Sequence, residues 1–122
     1  MTGACFLTPR QTVNKESLIG SWNLLGISKR VVPVEQLGES DLLKGQITFN
    51  SDGTFYGDFI YPKTPEKNTK ANGTYTLADG VLTISNQANN STTNSELIME
   101  KDVLIAKPLT RNGFAMYLRR AP

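Results

Sequence analysis

From Leu18 onward, short runs rich in β-branched and aromatic residues alternate with clusters of turn-forming residues. The spacing is roughly the 8 to 12 residues of an all-β sandwich or barrel. Helical periodicity is nearly absent. The runs predict strands at Ile19–Val32, Gly45–Phe49, Thr54–Tyr61, Gly73–Leu77, Val81–Ser85, Ser95–Glu100, Val103–Lys107 and Phe114–Arg120. The joins follow a second rhythm. Long ones fall at Pro33–Lys44, Pro62–Asn72 and Asn86–Asn94, and short ones at Asn50–Gly53, Ala78–Gly80 and Lys101–Asp102, with Pro108–Gly113 intermediate. Asp52-Gly53 and Asp79-Gly80 supply the positive backbone angles of tight hairpins. In an up-and-down order all odd-numbered joins lie at one end, and here the long joins are odd. The expectation is an all-β, eight-stranded antiparallel up-and-down barrel over residues 18–122, after a flexible tail over residues 1–17. One end is closed by tight turns, and long loops ring the other. Closure also removes the unpaired edge strands of an open meander. Leu37, Leu42 and Leu43 in the first long join predict a helical turn acting as a lid, and Asn14–Ile19 predicts a short helical plug before the first strand.

Side chains alternate across a strand, so a strand with one buried face carries every second apolar residue on that face. The inward set predicted this way is Trp22, Leu24; Ile47, Phe49; Phe55, Gly57, Phe59; Tyr75, Leu77; Leu82, Ile84; Leu97, Met99; Val103, Ile105; and Phe114, Met116, Leu118. Asp58, Glu96 and Arg119 fall in the outward phase, and the inward set has no ionisable carboxylate or amine. A barrel of eight strands is just wide enough to be filled by its own side chains or to hold one small ligand. Both readings stand for this interior. If a cavity is present, Phe49, Phe55, Phe59, Tyr75, Met99, Phe114 and Met116 are the candidate ligand-binding residues. They would hold a small apolar molecule by contact area, with Tyr75 as the inward polar contact. On the outside, Ile98, Leu104, Ala106, Ala115 and Tyr117 form an apolar face on the last three strands. That face is a candidate for a homodimer contact, for a partner, or for cover by the N-terminal tail.

Composition narrows the function classes. With 13 basic and 11 acidic residues and no long block of like charge, electrostatic capture of nucleic acid is unsupported. The chain has no histidine, which removes the commonest general base and most zinc or copper ligand sets. No catalytic set, metal site or cofactor is therefore predicted. Cys5 is the single cysteine, so no intramolecular disulfide is available. No apolar run is long enough to span a membrane as a helix. The sequons at Asn72, Asn89 and Asn90 are what an Asn- and Thr-rich chain produces by chance. Thr2-Gly3-Ala4-Cys5 resembles the cleavage junction of a bacterial lipoprotein. That resemblance implies lipidation at Cys5 and a periplasmic or outer-membrane location if the N-terminus is a trimmed signal peptide. A native start at Met1 implies the cytoplasm instead.

Gly20-Ser21-Trp22 at the start of the first strand resembles the Gly-x-Trp motif of the lipocalin-like, or calycin, proteins. Ile47 to Phe55 and Asn72-Gly73-Thr74-Tyr75 look like the small lipocalin-like domains of bacterial exported proteins. The resemblance implies that an arginine ending the last strand packs across the tryptophan and seals the closed end. The matching position is Arg120, in phase with Met116 and Leu118 and grouped with Gly20 and Trp22, with Arg119 as the alternative if a bulge shifts the register. It also implies a non-catalytic barrel that binds a small apolar ligand or serves the cell envelope. Two alternatives share the opening motif: a protein-binding module like the bacterial metalloprotease inhibitors, using Phe6 to Val13, and a calycin-type enzyme using Tyr75, Asp58 or Glu96.

Overall fold

The structure is a computed structural model that describes residues 13–36, 44–110 and 113–122. After the helical turn α1 (Lys15–Leu18) come eight strands: β1 (Gly20–Ser28), β2 (Lys44–Phe49), β3 (Thr54–Ile60), β4 (Thr69–Ala78), β5 (Val81–Asn86), β6 (Ser91–Glu100), β7 (Val103–Pro108) and β8 (Ala115–Arg120). Each strand pairs antiparallel with the next in sequence, and β8 pairs back onto β1, so the sheet is a closed up-and-down barrel. This is the predicted fold class. Short 3-10 turns occupy Val34–Gln36 and Pro65–Lys67. The expected lid residues Leu37, Leu42 and Leu43 lie outside the described residues, as does Cys5.

Turn chemistry sets the register. Asp79 and Gly80 both have positive φ, 52° and 77°, which makes the two-residue turn that pairs Ala78 with Val81. Lys101, also at positive φ (57°), opens the turn that pairs Glu100 with Val103. Two strands run further toward the long-join end than their apolar residues suggest. β4 begins at Thr69 rather than Gly73, and β6 at Ser91 rather than Ser95, so the fifth join shrinks to Gln87–Asn90.

The period-two reading of β7 is corrected. Directly paired residues share a face, and Met99 pairs with Leu104 while Leu97 pairs with Ala106. Leu104 and Ala106 therefore join the inner cluster, and Val103 and Ile105 point outward. All of Val103 to Ala106 are buried, so this run has no polar residue to mark its outer face. The apolar outer face is accordingly Val103, Ile105, Ala115 and Tyr117, packed with Leu25, Val32 and Ile98. It is no free patch for a second copy, because those four residues are already at most 1% exposed in the single chain. The Tyr117 hydroxyl accepts from the Val32 amide (2.7 Å) and donates to its carbonyl (2.9 Å), holding the segment after β1 against the outside of β8. A β-bulge between Leu24 and Gly26 leaves Leu25 on that face, sets Gly26 opposite the outward Tyr117 and so brings Ile27 into the interior.

The end made of even-numbered joins is tightly built. Arg120 sits directly opposite Trp22 in the β1–β8 ladder, and its guanidinium carbon lies 4.4 Å from the indole centroid. Its Nη1 donates to the Ile19 carbonyl (2.8 Å) and its Nη2 to the Ser17 carbonyl, so the cation caps the C-terminal end of α1. The Trp22 indole N–H donates to the Leu18 carbonyl (2.8 Å), and Leu18 is fully buried. Asn14 caps the other end of α1 by accepting from the Ser17 amide. Val13, 5% exposed, packs in the same inner cluster, so packed chain begins upstream of the helix. Glycine is favoured at position 20 by its backbone angle, and a side chain there would also displace the Arg120 guanidinium. The φ of Gly20 is +125°, and a Cβ would come within 2.5 Å of Arg120 Nη1.

Candidate functional site

The interior divides into two halves. In the half nearer the tight turns, Phe49 (1% exposed) and Tyr75 meet edge to face with ring centroids 5.0 Å apart, and Met99 packs against the same cluster. The Tyr75 hydroxyl donates to the Asn50 carbonyl at 2.6 Å, so this inward polar group is engaged in closing the β2–β3 turn. Burial, with a smaller contribution from the Asp52 carboxylate, raises its pKa above the ordinary 10. Asp52 itself is held below the ordinary carboxylate value because it accepts from the Thr54 hydroxyl (2.6 Å) and amide (3.0 Å).

The other half contains a cavity of about 130 Å³. Its position follows from its lining. Phe59 lies near the end of β3, Ala71 near the start of β4, Asn86 at the end of β5, and Ser91 and Met116 at the starts of β6 and β8. All of these are ends where odd-numbered joins begin or finish, while Phe55 and Leu82, each the second residue of its strand after a tight turn, line it from the other side. Most of the wall is apolar, made by Ile47, Phe55, Phe59, Leu82, Ile84 and Met116. The small side chains Ala71 and Ala106 leave the space that larger residues would fill. Gly57 does the same for Phe59, whose ring edge comes within 3.0 Å of where a Gly57 Cβ would stand. One side is polar: Asn86 on β5, and Ser91, Thr93 and Ser95 at every second position of β6. None of the lining side chains is ionisable.

The structure thus separates the seven candidate ligand residues. Phe55, Phe59 and Met116 line the cavity. Phe49, Tyr75 and Met99 face inward but lie in the filled half. Phe114 is corrected outright: it precedes β8, is not held by the strand's phase, and is 51% exposed at the mouth. The polar wall was missed because Asn86–Asn94 has the composition of a loop. Counting back by twos from the inward Leu97 through Ser95, Thr93 and Ser91 would have found it. Asp58 and Glu96 take the outward phase, opposite to their neighbours Phe59 and Leu97. Among the described residues, no group of three metal-ligating side chains comes together. Nor is any helix there long and apolar enough to cross a membrane.

No curated protein matches the chain. A family model described as a lipocalin-like domain matches residues 18–102, from the fully buried Leu18 at the end of α1 to the turn before β7. That span holds Gly20, Trp22 and most of the cavity wall, while the structure adds β7, β8 and Arg120 to complete the barrel. With more than two thirds of its residues so matched and its eight strands closed in up-and-down order, the chain belongs to the lipocalin-like domain family, a barrel of binding type.

Proposed function

We propose that this protein is a non-catalytic binder of a small, uncharged, mainly apolar molecule, held inside the long-join half of the barrel. The observation that carries this reading is the cavity of about 130 Å³ with an apolar wall and no ionisable side chain. A barrel meant only for stability gains from filling such a space, since burial and packing scale with the contacts made. The location of the exposed apolar residues supports the same reading. Among the described residues, four of the five large exposed apolar or aromatic residues, Val31, Ile60, Leu109 and Phe114, lie on or beside the odd-numbered joins, the exception being Tyr56 on the outer face of β3. They offer an apolar rim over which such a molecule could be admitted.

The test is a titration with toluene followed by amide chemical shifts. Saturable shifts should appear at Phe59, Ala71, Thr93 and Met116, and Ala106→Leu, which fills the cavity from its own wall, should abolish them. Absence of saturable shifts in the unaltered protein, or equal binding by Ala106→Leu, overturns the proposal. Lipid attachment at Cys5 and export to the envelope remain part of the proposal on the strength of Thr2-Gly3-Ala4-Cys5 alone. The intact mass of protein recovered from its own host tests them: a diacylglyceryl addition at Cys5 supports the anchor, and an unmodified Cys5 contradicts it.

A further inference from the structure

We infer that the cavity selects single-ring molecules carrying one hydroxyl or equivalent neutral hydrogen-bonding group, with Ser95 as the residue that recognises it. This rests on the reading of the cavity as a ligand site.

The volume sets the size of the occupant. A cavity of about 130 Å³ is slightly smaller than the roughly 150 Å³ engineered cavity that accommodates one benzene. A lipid chain or fused-ring compound would extend beyond it through the open mouth. The walls set the polarity. Phe55, Phe59 and Met116 offer ring and thioether surface, while the facing strand β6 presents hydroxyls at two-residue intervals.

The state of those hydroxyls singles out Ser95. The Ser91 hydroxyl donates to Asn89 Oδ1 (2.6 Å), and Asn86 Oδ1 accepts from the Ala88 amide (3.0 Å), so both have local partners in the β5–β6 turn. Thr93, with no such partner among the described residues, stands exposed at the mouth. Ser95 lies deeper, between Leu82 on β5 and Pro108 on β7, and is only 9% exposed. Its hydroxyl has no hydrogen-bond partner among the described residues and belongs to the cavity wall. A buried hydroxyl left unpaired is costly, and a ligand group that pairs with it recovers that cost. A hydroxyl both donates and accepts, so it suits a neutral polar group of either kind. A charged group would leave water for a wall that holds no counter-charge.

The experiment compares phenol, toluene and benzoate on the unaltered protein and on Ser95→Ala, by amide chemical-shift titration. The expected result is that Ser95→Ala weakens phenol about tenfold while leaving toluene within about twofold, the size of one net hydrogen bond. Retained toluene binding certifies that the variant is folded with its cavity intact. Benzoate should not occupy the cavity of either protein. Toluene binding with an unchanged phenol-to-toluene ratio overturns this inference and leaves the binding reading standing, as does benzoate shifting the cavity amides as strongly as phenol. If no probe binds the unaltered protein, both readings fall together.

Discussion

The two ends of this barrel use similar strands for different purposes. At the tight-turn end three inward or sealing groups are all partnered: the Trp22 indole bonds Leu18, Arg120 covers Trp22 and caps α1, and Tyr75 bonds Asn50. At the long-join end the same sheet borders unfilled volume, a hydroxyl at Ser95 without a partner among the described residues, and apolar residues left exposed around the mouth. The difference is local. Trp22, Phe49 and Tyr75 fill one half, while Ala71, Ala106, Ser95 and Gly57 occupy equivalent inward positions in the other. One half is specified for stability, and the other gives up packing where a guest could supply it.

The sharpest way to break that contrast is Trp22→Ala. Removing an indole that is 2% exposed leaves a cavity under α1 and should cost about 3 to 5 kcal/mol in urea unfolding. A loss under about 1 kcal/mol would mean that the tryptophan is not the seal. Arg120→Gln should cost less, about 1 to 2 kcal/mol. It deletes a cation–π contact at an exposed site and two charged hydrogen bonds to the end of α1, and solvent screening weakens all three. Arg120→Lys should recover only part of this, because an ammonium lacks the planar fork that reaches both carbonyls.

Tyr75→Phe should cost about 1 kcal/mol at neutral pH through loss of the bond to Asn50. It also carries a pH signature. Because the folded pKa is raised, the unfolded chain loses its proton first, so this contribution is complete below pH 10, the ordinary tyrosine value, and falls as pH rises through the folded pKa. The unaltered protein should therefore destabilise above pH 10 more steeply than Tyr75→Phe. Parallel alkaline profiles would show that the buried phenol is not responsible. Smallest of all, Ser95→Ala should alter urea stability by less than about 0.5 kcal/mol or raise it, since its hydroxyl has no partner to lose among the described residues. A loss above about 1 kcal/mol would show that Ser95 belongs to the packed scaffold.

Much of this architecture was legible in the sequence because two independent periodicities agreed. Alternation within strands identified the inward faces, and alternation of join lengths located the two ends. The Gly20, Trp22 and Arg120 assembly followed from strand phase together with a family resemblance, and the ladder sets Arg120 opposite Trp22. Period-two reasoning gave way where its contrast vanished. Val103 to Ala106 is apolar on both faces, so only the two-residue Lys101–Asp102 turn, through the pairing it imposes, reveals its phase. At Ser91 to Ser95 the opposite problem arose, because a strand with polar residues on both faces looks like a loop. Those are the residues of the cavity's polar wall. A site that recognises a polar group must break the apolar pattern by which core positions are recognised, and so hides from a search for apolar faces.

Native-state amide hydrogen exchange, read residue by residue with and without saturating toluene, tests the division of the barrel most directly. The account predicts that the amides of Trp22, Phe49 and Leu118 exchange only through global unfolding, at the free energy measured in urea. Those of Thr93 and Met116 should exchange through smaller openings and slow when toluene is bound. Equal protection at both ends, with no response at Thr93 and Met116 to toluene, would contradict it.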